Sequence, residues 1–188
     1  MVDENIHPVV PMRNAVGPMD YTPGVINTFQ PEYYLSTHYN GGGIGTRAYQ
    51  MALFVLFETG LQMLVDNPTM YYREEDCARF MASIPLPTDE TVSLAAKVGE
   101  YAIVAKRKGD KWYIGGMTNN KEKERVFELP LDFLPEGSTW KMVSYEDGVN
   151  ANKQAMHYMK REQEVKKGQT IRVKMARNGG FAAVLSIK

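Results

Sequence analysis

Several features are scarce in this chain of 188 residues, and each scarcity excludes a class of protein. There is one cysteine, Cys77, so no internal disulfide can form. Lys plus Arg and Asp plus Glu each number 22, and without an excess of basic charge we do not expect nucleic-acid binding. The longest apolar run, Met51–Phe57, is far shorter than the ~20 residues of a membrane span, so we expect no membrane partner. The apolar fraction of 44% is, in contrast, too high for a disordered chain.

The first 45 residues contain few signs of regular structure. They hold five of the ten prolines of the chain, and only the stretch Val9–Val16 has the pattern of a short strand. About thirty residues without a periodic pattern follow, and loops of this length are usually functional or packed against another part of a protein. The segment is therefore not expected to fold alone.

The middle of the chain has the composition and periodicity of helices. Thr46 is a good N-cap for a helix that runs to about Val65, and this helix is apolar nearly all round, which predicts burial between two layers. Asn67-Pro68 predicts a stop and a new start, and a second, shorter helix is expected at about Glu74–Ser83. The stretch Ile84–Pro87 then predicts an extended linker.

The remainder of the chain predicts an antiparallel β-sandwich or barrel. Turn dipeptides such as Gly109-Asp110 and Asn178-Gly179 separate short runs of alternating polarity, and no helical pattern lies between them. About eight strands in roughly a hundred residues are typical of a sandwich, which we expect to fold by itself. The expected strands are Thr91–Val98, Tyr101–Lys108, Lys111–Asn119, Arg125–Leu129, Trp140–Glu146, Tyr158–Val165, Thr170–Met175 and Phe181–Ile187.

The residues able to do acid–base chemistry are few and scattered. Asp20 lies in the turn-forming stretch Gly17–Gly24, after the predicted strand, where barrel enzymes place functional groups. A pocket role and a structural turn both remain open for it. Glu58 is the only charged residue between Arg47 and Asp66, and it is expected either to pair with a cation or to serve as a buried acid.

Three other patterns resemble ligand sites but lack a required part. Gly43–Ala48 matches G-x-G-x-x-A at the start of a helix, yet no buried strand precedes it and no parallel strand follows. Asp147–Asn152 is rich in oxygen ligands, yet the glycine and the glutamate of a calcium loop are misplaced. The histidines, His7, His38 and His157, are not spaced as metal ligands. We therefore expect a glycine entry to a buried helix, a strand-connecting turn and no metal site.

Three aromatic residues indicate a different function for the β-rich zone. Flat rings stack on sugars, so Trp112 and Tyr113 are candidate sugar-stacking residues of a stand-alone carbohydrate-binding module, together with Trp140. Adjacent residues of a strand point to opposite faces, so one of the first two rings is a candidate for the outer surface. The alternative is that all three rings fill the core of the sandwich.

Several longer stretches resemble glycoside hydrolase family 97. Val16–Gly24 is similar to the loop after the last barrel strand of that family, and Gly45–Ala52, continuing into Leu61–Pro68, is similar to the helical region that follows. The resemblance keeps its order to the end of the chain. It also rests on Val98–Tyr101, Ala105–Gly109, Trp112-Tyr113, Met117–Asn119, Asp147–Ala151 and Gly179–Ala183.

The resemblance implies an exported α-glucosidase or α-galactosidase that hydrolyses α-linked oligosaccharides with carboxylates and a calcium ion. Members of the family have an N-terminal β-sandwich, a (β/α)8 barrel and a C-terminal antiparallel β-sandwich linked with oligomerisation. The implied location is the periplasm or the exterior, and the missing signal peptide is attributed to truncation of the chain. Glucoside versus galactoside, and inversion versus retention, remain open.

By this resemblance the chain is an α+β fragment. Residues 1–84 would be the last strand, a long loop and two helices of the barrel, and residues 85–188 would be the β-sandwich. The catalytic and calcium-binding carboxylates would precede Met1, so the chain is expected to hold no catalytic residue, to bind no calcium alone, and to serve barrel packing and oligomerisation. The expected partners are further copies of the chain or the missing barrel portion, and a complementing subunit is a third interpretation. The candidates for the substrate side are Arg13, Asp20 and Tyr21.

Overall fold

The structure, a computed structural model, describes residue 14, residues 16–34 and residues 41–188. The candidate Arg13 and nearly all of the predicted strand Val9–Val16 therefore lie outside the described residues. A 3-10 helix spans Pro31–Tyr33, and the α-helices are α1 (Arg47–Leu56), α2 (Pro68–Arg73) and α3 (Glu75–Ala82). The strands are β1 (Thr28–Phe29), β2 (Gly43–Ile44), β3 (Glu90–Lys97), β4 (Tyr101–Lys108), β5 (Lys111–Thr118), β6 (Glu124–Pro130), β7 (Trp140–Asp147), β8 (Tyr158–Val165), β9 (Thr170–Ala176) and β10 (Gly180–Ile187).

The eight strands predicted for the C-terminal zone are all present, and none of their ends differs from the prediction by more than one residue. Six of them form an antiparallel sheet in the order β3-β4-β5-β10-β7-β8, and β6 pairs with β9 in a separate ribbon. The last of these strands in the sequence, β10, lies in the middle of the sheet between β5 and β7. Because β3 and β8 are left as edges, the arrangement is a sandwich and not a closed barrel.

The β6–β9 ribbon covers one face of the six-stranded sheet. Ile103 on β4, Trp112 on β5 and Phe181 on β10 pack there with residues of the ribbon. Leu129 of β6 and Val173 of β9 complete this contact, and both are 1% exposed. The expected antiparallel β-sandwich is therefore built from two unequal layers.

Helix α1 covers the opposite face of the same sheet. Thr46 caps the helix, as predicted, by accepting a hydrogen bond from the backbone N–H of Tyr49 at 3.1 Å, and all ten residues of α1 are buried. Glycines allow the close approach of helix and sheet. A Cβ added to Gly180 would lie 2.3 Å from the Cα of Tyr49, and one added to Gly115 would lie 2.8 Å from the carbonyl oxygen of Ala52. The strands β5 and β10 are thus buried on both faces.

Helix α1 ends at Leu56, and the prediction that it continues to about Val65 is wrong. Two side chains from outside the helix bind its last carbonyl groups. Gln62 donates to the carbonyl of Phe54 at 2.8 Å, and the ammonium group of Lys106 donates to that of Leu56 at 3.4 Å. These bonds satisfy acceptors that a further helical turn would otherwise use.

Two short helices follow at the predicted stop and new start. Asn67 caps α2 by accepting a hydrogen bond from the N–H of Thr69 at 2.7 Å, and Pro68 is the first helical residue, as expected. Helix α3 confirms the helix predicted at about Glu74–Ser83. The described residues thus contain α2 in addition to the two helices that the sequence predicts.

The core beneath α1 contains residues from both predicted segments of the chain. Ile26, which precedes the helix, lies in one cluster with Met117 of β5 and Tyr145 of β7. Gln30 adds a polar link, because its buried amide donates to the carbonyl of Ala151 at 2.9 Å. The N-terminal region is therefore packed onto the sandwich through a shared core.

Candidate functional site

The loop before α1 carries two of the three candidate substrate-side residues. Asp20 is exposed, while Tyr21 is half-buried with its ring centroid 4.4 Å from that of Phe57. Burial raises the pKa of the Tyr21 hydroxyl to about 12, so this group stays protonated near neutral pH and acts as a hydrogen-bond donor or acceptor. Arg13, the third candidate, lies outside the described residues.

Asp66 fixes the end of this loop, a role that its sequence position does not predict. Its Oδ2 accepts hydrogen bonds from the N–H groups of Ile26 at 2.8 Å and Asn27 at 3.1 Å. The hydroxyl of Tyr71 accepts from the N–H of Asp66 at 2.8 Å and donates to the carbonyl of Gly24 at 2.9 Å. The partners of Asp66 in the loop are 39 and 40 residues away in the sequence, so no local pattern marks this contact.

Glu58 forms an ion pair, as one of its two interpretations predicts. Its Oε1 lies 2.5 Å from the Nζ of Lys106, whose side chain is 4% exposed, whereas that of Glu58 is 34% exposed. Burial lowers the pKa of Lys106, and the hydrogen bond and charge of Glu58 oppose this effect. The backbone carbonyl of Glu58 also accepts from the N–H of Met19 and the amide of Asn14, each at 2.9 Å. Glu58 therefore ties the loop that carries Asp20 to β4.

A buried carboxylate, Asp147, lies where β7, β9, β10 and the start of α1 meet. Its Oδ2 accepts from the N–H groups of Ala176 at 2.8 Å and Gly180 at 3.1 Å, and the hydroxyl of Thr46 also hydrogen-bonds to it. Burial raises the pKa of Asp147 to about 7, although the hydrogen bonds act in the opposite direction. The stretch Asp147–Asn152 is the predicted strand-connecting turn, and the hydrogen bonds from Ala176 and Gly180 to Asp147 hold the start of this turn in place.

Trp112 and Tyr113 lie on opposite faces of β5, as predicted, and both are buried. Trp112 is 2% exposed in the sandwich core, where its ring centroid is 4.7 Å from that of Phe133. Tyr113 is 4% exposed in the core beneath α1, and Trp140 is 2% exposed in the sandwich core. Because α1 covers the second face of the sheet, neither Trp112 nor Tyr113 offers a free ring to a sugar. This burial corrects the expectation of a surface stacking site and supports the core alternative.

Asp20, Glu58 and Asp147 do not form a pair of free carboxylates that could act together as acid and base. Asp20 is exposed on its loop, Glu58 is paired with Lys106, and Asp147 is hydrogen-bonded inside a turn. Within the described ranges, no three His, Cys, Asp or Glu side chains come together as metal ligands. No helix in the same ranges has the length and hydropathy needed to cross a membrane.

An exposed apolar strip follows α1. Its members are between 39% and 86% exposed, and α2, which carries one of them, has no buried residue. The sequence predicts a buried helix through about Val65, so the exposure of Leu61, Met63, Leu64 and Val65 is a further consequence of the early end of α1. Clusters of large exposed apolar side chains mark interaction sites. The apolar strip consists of Leu61, Met63, Leu64, Val65 and Tyr72.

Comparisons with known sequences identify relatives of this arrangement. Residues 87–186 match the family model described as "Glycosyl-hydrolase 97 C-terminal, oligomerisation". The chain is 37% identical over 171 residues to a retaining alpha-galactosidase of Bacteroides thetaiotaomicron, and 31% identical over 172 residues to a probable retaining alpha-galactosidase of Streptomyces bingchenggensis. These alignments cover 91% and 92% of the chain but 25% and 24% of the relatives. The chain therefore spans about a quarter of the length of these curated relatives.

Solved structures give the same result. A glycoside hydrolase family 97 enzyme from Pseudoalteromonas sp. strain K8, in complex with panose, matches with a TM-score of 0.83 at 27% identity. An enzyme of that family and organism in complex with acarbose matches with a TM-score of 0.82 at 28% identity. Each alignment covers 98% of this chain and 28% of the other. A beta-arabinopyranosidase, at 21% identity and a TM-score of 0.76, shares the fold.

The family model covers the sandwich and more than half of the chain, and the structural match extends over nearly all of it. The resemblance that begins at Val16–Gly24 and continues to Gly179–Ala183 is thus confirmed. The chain belongs to glycoside hydrolase family 97 and corresponds to the C-terminal portion of an enzyme of that family.

Proposed function

We propose that this chain completes the catalytic barrel of a family 97 α-glycosidase, carries its oligomerisation domain, and has no glycosidase activity alone. The proposal rests on the extent of the structural alignment, which covers 98% of this chain but only 28% of a family 97 enzyme. Residues 1–84 are proposed to be the last strand, the long loop and the last helices of the (β/α)8 barrel. Residues 85–188 are proposed to be the oligomerisation domain, in agreement with the description of the matching family model.

The apolar strip supports the barrel-packing part of the proposal. The curated relatives are about four times as long as this chain, so most of such an enzyme is available to cover it. Leu61 and Leu64 are 69% and 43% exposed, although they follow in sequence a helix whose residues are all buried. We infer that the missing barrel portion occupies the strip, since burial of such side chains contributes ~1.5–3 kcal/mol each.

The substrate is proposed to be an α-linked oligosaccharide. Two curated relatives are named as retaining or probable retaining alpha-galactosidases, which favours α-galactosides, and the panose and acarbose complexes make α-glucosides the second candidate. The catalytic carboxylates and the calcium ion are proposed to belong to parts of the enzyme outside this chain, and the enzyme is proposed to be exported to the periplasm or the exterior. Arg13, Asp20 and Tyr21 are the proposed substrate-side residues of this portion.

The first test is activity of the purified chain. It is expected to release no nitrophenol from 4-nitrophenyl α-galactoside or 4-nitrophenyl α-glucoside. Turnover that disappears in the Asp20→Asn variant would contradict the proposal, because the loss would exclude a contaminating enzyme. The substitution is conservative in volume and lies on an exposed side chain, so it should leave the fold intact.

The second test is association with a barrel. The chain is co-expressed with the Bacteroides relative from which the homologous last quarter has been removed, and the two are expected to co-purify. Leu61→Asp should weaken the association, because it places a charge on the apolar strip. Val149→Asp, at a position 81% exposed and outside the strip, is the matched control and should have no effect. Failure of the unmodified chain to associate, or equal effects of the two variants, would refute the barrel-packing role.

A further inference from the structure

The six-stranded sheet has two edge strands, β3 and β8, and their charges differ. Four of the five consecutive residues at positions 160–164 on β8 are charged, and each of the four has an ion-pair partner within the chain. A charged edge of this kind resists pairing with another strand. The pairs are Lys160 with Asp76, Arg161 with Glu146, Glu162 with Lys141, and Glu164 with Lys188.

The other edge, β3, has charges only at its two ends, where Glu90 pairs with Arg107 and Lys97 pairs with Glu100. Between Glu90 and Lys97 the sequence is Thr-Val-Ser-Leu-Ala-Ala, with no charged residue and no proline. Thr91, Ser93 and Ala96 are exposed, and within the described residues β3 pairs with β4 alone. An edge with unpaired backbone groups and neutral side chains is a template for a further strand.

The pairing of β3 with β4 shows which residues of β3 share a face. Glu90 lies opposite Arg107, and Lys97 lies opposite Tyr101. Arg107 and Tyr101 are six residues apart on one strand, so both ends of β3 point to the sandwich face. In a regular strand of eight residues the first and last side chains would point to opposite faces. Here the register shifts between Ser93 and Ala95, so only seven positions are paired and both ends lie on one face.

The seven paired positions of β3 are complementary to the same seven positions of a second copy that runs in the opposite direction. When β3 runs antiparallel to a second β3 centred on Ser93, each residue faces one that points to the same side of the sheet. Opposite charges meet at both ends, and neutral side chains meet between them. The facing pairs are Glu90 with Lys97, Thr91 with Ala96, Val92 with Ala95, and Ser93 with Ser93.

The geometry points to β3 as the edge at which two copies of this chain pair about a two-fold axis, forming one continuous sheet with six strands from each copy. The inference rests on the proposed oligomerisation function and names the surface that performs it. A two-fold axis brings the same patch of both copies together, so the patch must complement itself. β3 meets that requirement through Glu90 and Lys97. β8 does not, since antiparallel self-pairing at its centre places Arg161 against Arg161 or Glu162 against Glu162.

A disulfide test distinguishes this register from any other contact. Facing residues in an antiparallel pair have Cβ atoms ~4.5–5.5 Å apart, close to the separation in a disulfide, so Ser93→Cys should give a covalent dimer under mild oxidation. Thr91→Cys is the matched control on the same face and is equally exposed. In the proposed dimer the two introduced thiols of the control lie about 13 Å apart, at four steps of ~3.3 Å, and no covalent dimer should form. The native Cys77 is fully buried, so it should not react in either variant.

A charge-reversal series, read by sedimentation velocity, tests the ends of the strand. Lys97→Glu places like charges at both ends of the dimer and should weaken the association constant by about tenfold or more. The double variant Glu90→Lys/Lys97→Glu restores opposite charges between the two copies and should recover part of that loss, because each reversed residue also lies beside a like charge of its own chain, Arg107 or Glu100. Lys160→Glu, on the β8 edge, is the control and should leave the association constant unchanged. Thermal unfolding of each variant, followed by circular dichroism, shows that the fold is retained.

The outcomes separate this inference from the function on which it rests. A wild-type chain that has twice the mass of one copy, cross-links through Ser93→Cys and responds to Lys97→Glu supports both. An oligomer that is insensitive to the β3 variants overturns the inference and leaves the oligomerisation function standing. A wild-type chain that is monomeric over the whole dilution series overturns both.

Discussion

The close contact between α1 and the sheet predicts that Gly180→Ala destabilises the chain, although replacement of a glycine by alanine stabilises many other proteins. The added Cβ would lie 2.3 Å from the Cα of Tyr49, 2.5 Å from its nitrogen and 2.8 Å from the carbonyl carbon of Ala48. All three are backbone atoms of the helix, so no side-chain rotation relieves the overlap. The helix as a whole has to move.

The size of the effect follows from the distance that the helix must move. An ordinary contact begins near 3.4 Å, so relief requires a retreat of about 1 Å. A gap of ~0.5–1 Å already removes a quarter to a half of the dispersion energy of a contact, and overpacking of a core costs ~1–3 kcal/mol. The reduced entropy of the unfolded chain returns ~0.4–1 kcal/mol. We expect a net loss of about 2 kcal/mol in the free energy of unfolding, and a decrease of roughly 5 °C in Tm.

The assay is urea and thermal denaturation followed by circular dichroism. Gly60→Ala is the matched control, because Gly60 has no atom within 4 Å of an added Cβ and does not require a positive φ. This control should be neutral or slightly stabilising. If Gly180→Ala unfolds at the same urea concentration as Gly60→Ala, the helix does not lie against the sheet as described.

The double variant with Gly115→Ala adds a second criterion. The added Cβ of that variant would meet the Cβ of Val55 at 2.7 Å and the carbonyl oxygen of Ala52 at 2.8 Å, on the same face of the sheet. One retreat of α1 relieves both overlaps, so the Gly115→Ala/Gly180→Ala double variant should lose less stability than the sum of the two single variants. Strict additivity would show that the two contacts are independent and would refute this mechanism.

Three further predictions concern ionisation and domain autonomy. Burial raises the pKa of Asp147 from 3.8 to about 7, so the folded chain retains a proton that the unfolded chain releases, and the free energy of unfolding should fall by about 4 kcal/mol as the pH rises through this range. Asp147→Asn should flatten that profile in urea titrations, and an unchanged slope would contradict the assignment. Glu58→Gln should cost about 2 kcal/mol, because it leaves the buried Lys106 ammonium without a counter-charge, whereas Lys106→Met should cost less in the same titrations. Residues 88–188 alone should bind the dye ANS and unfold at a lower temperature than the full chain, because removal of α1 exposes one face of the sheet, and equal Tm values would argue that the sandwich is autonomous.

The sequence predicts where the strands lie, but it does not predict which strands pair with each other. Alternating polarity and turn dipeptides place all eight C-terminal strands to within one residue, because both signals are local. The position of β10 between β5 and β7, and the separation of β6 and β9 as a ribbon, depend on contacts far apart in the sequence. One signal was available, however. The run from Trp112 to Thr118 is nearly all apolar or glycine, which is typical of a strand covered on both faces.

The candidate site illustrates the same division between local and distant contacts. The cap at Thr46 and the pairing of Glu58 with a cation follow from residue type, and both are present. The identity of that cation, Lys106, and the resulting end of α1 at Leu56 depend on a strand 50 residues away. The opposite orientation of Trp112 and its neighbour was predictable from the strand period, whereas their burial required the position of α1.

The central position of β10 also constrains the order in which the molecule is made. A ribosome releases β3, β4 and β5 as one antiparallel unit and β7 and β8 as another, and the eight residues of β10 join them only after the rest of the sheet has been synthesised. Until then both units expose unpaired backbone, and α1, which emerged long before, lacks one of its two partner strands. Assembly of the sheet therefore waits for the synthesis of β10, and loss of β10 removes the centre of the sheet and not merely an edge.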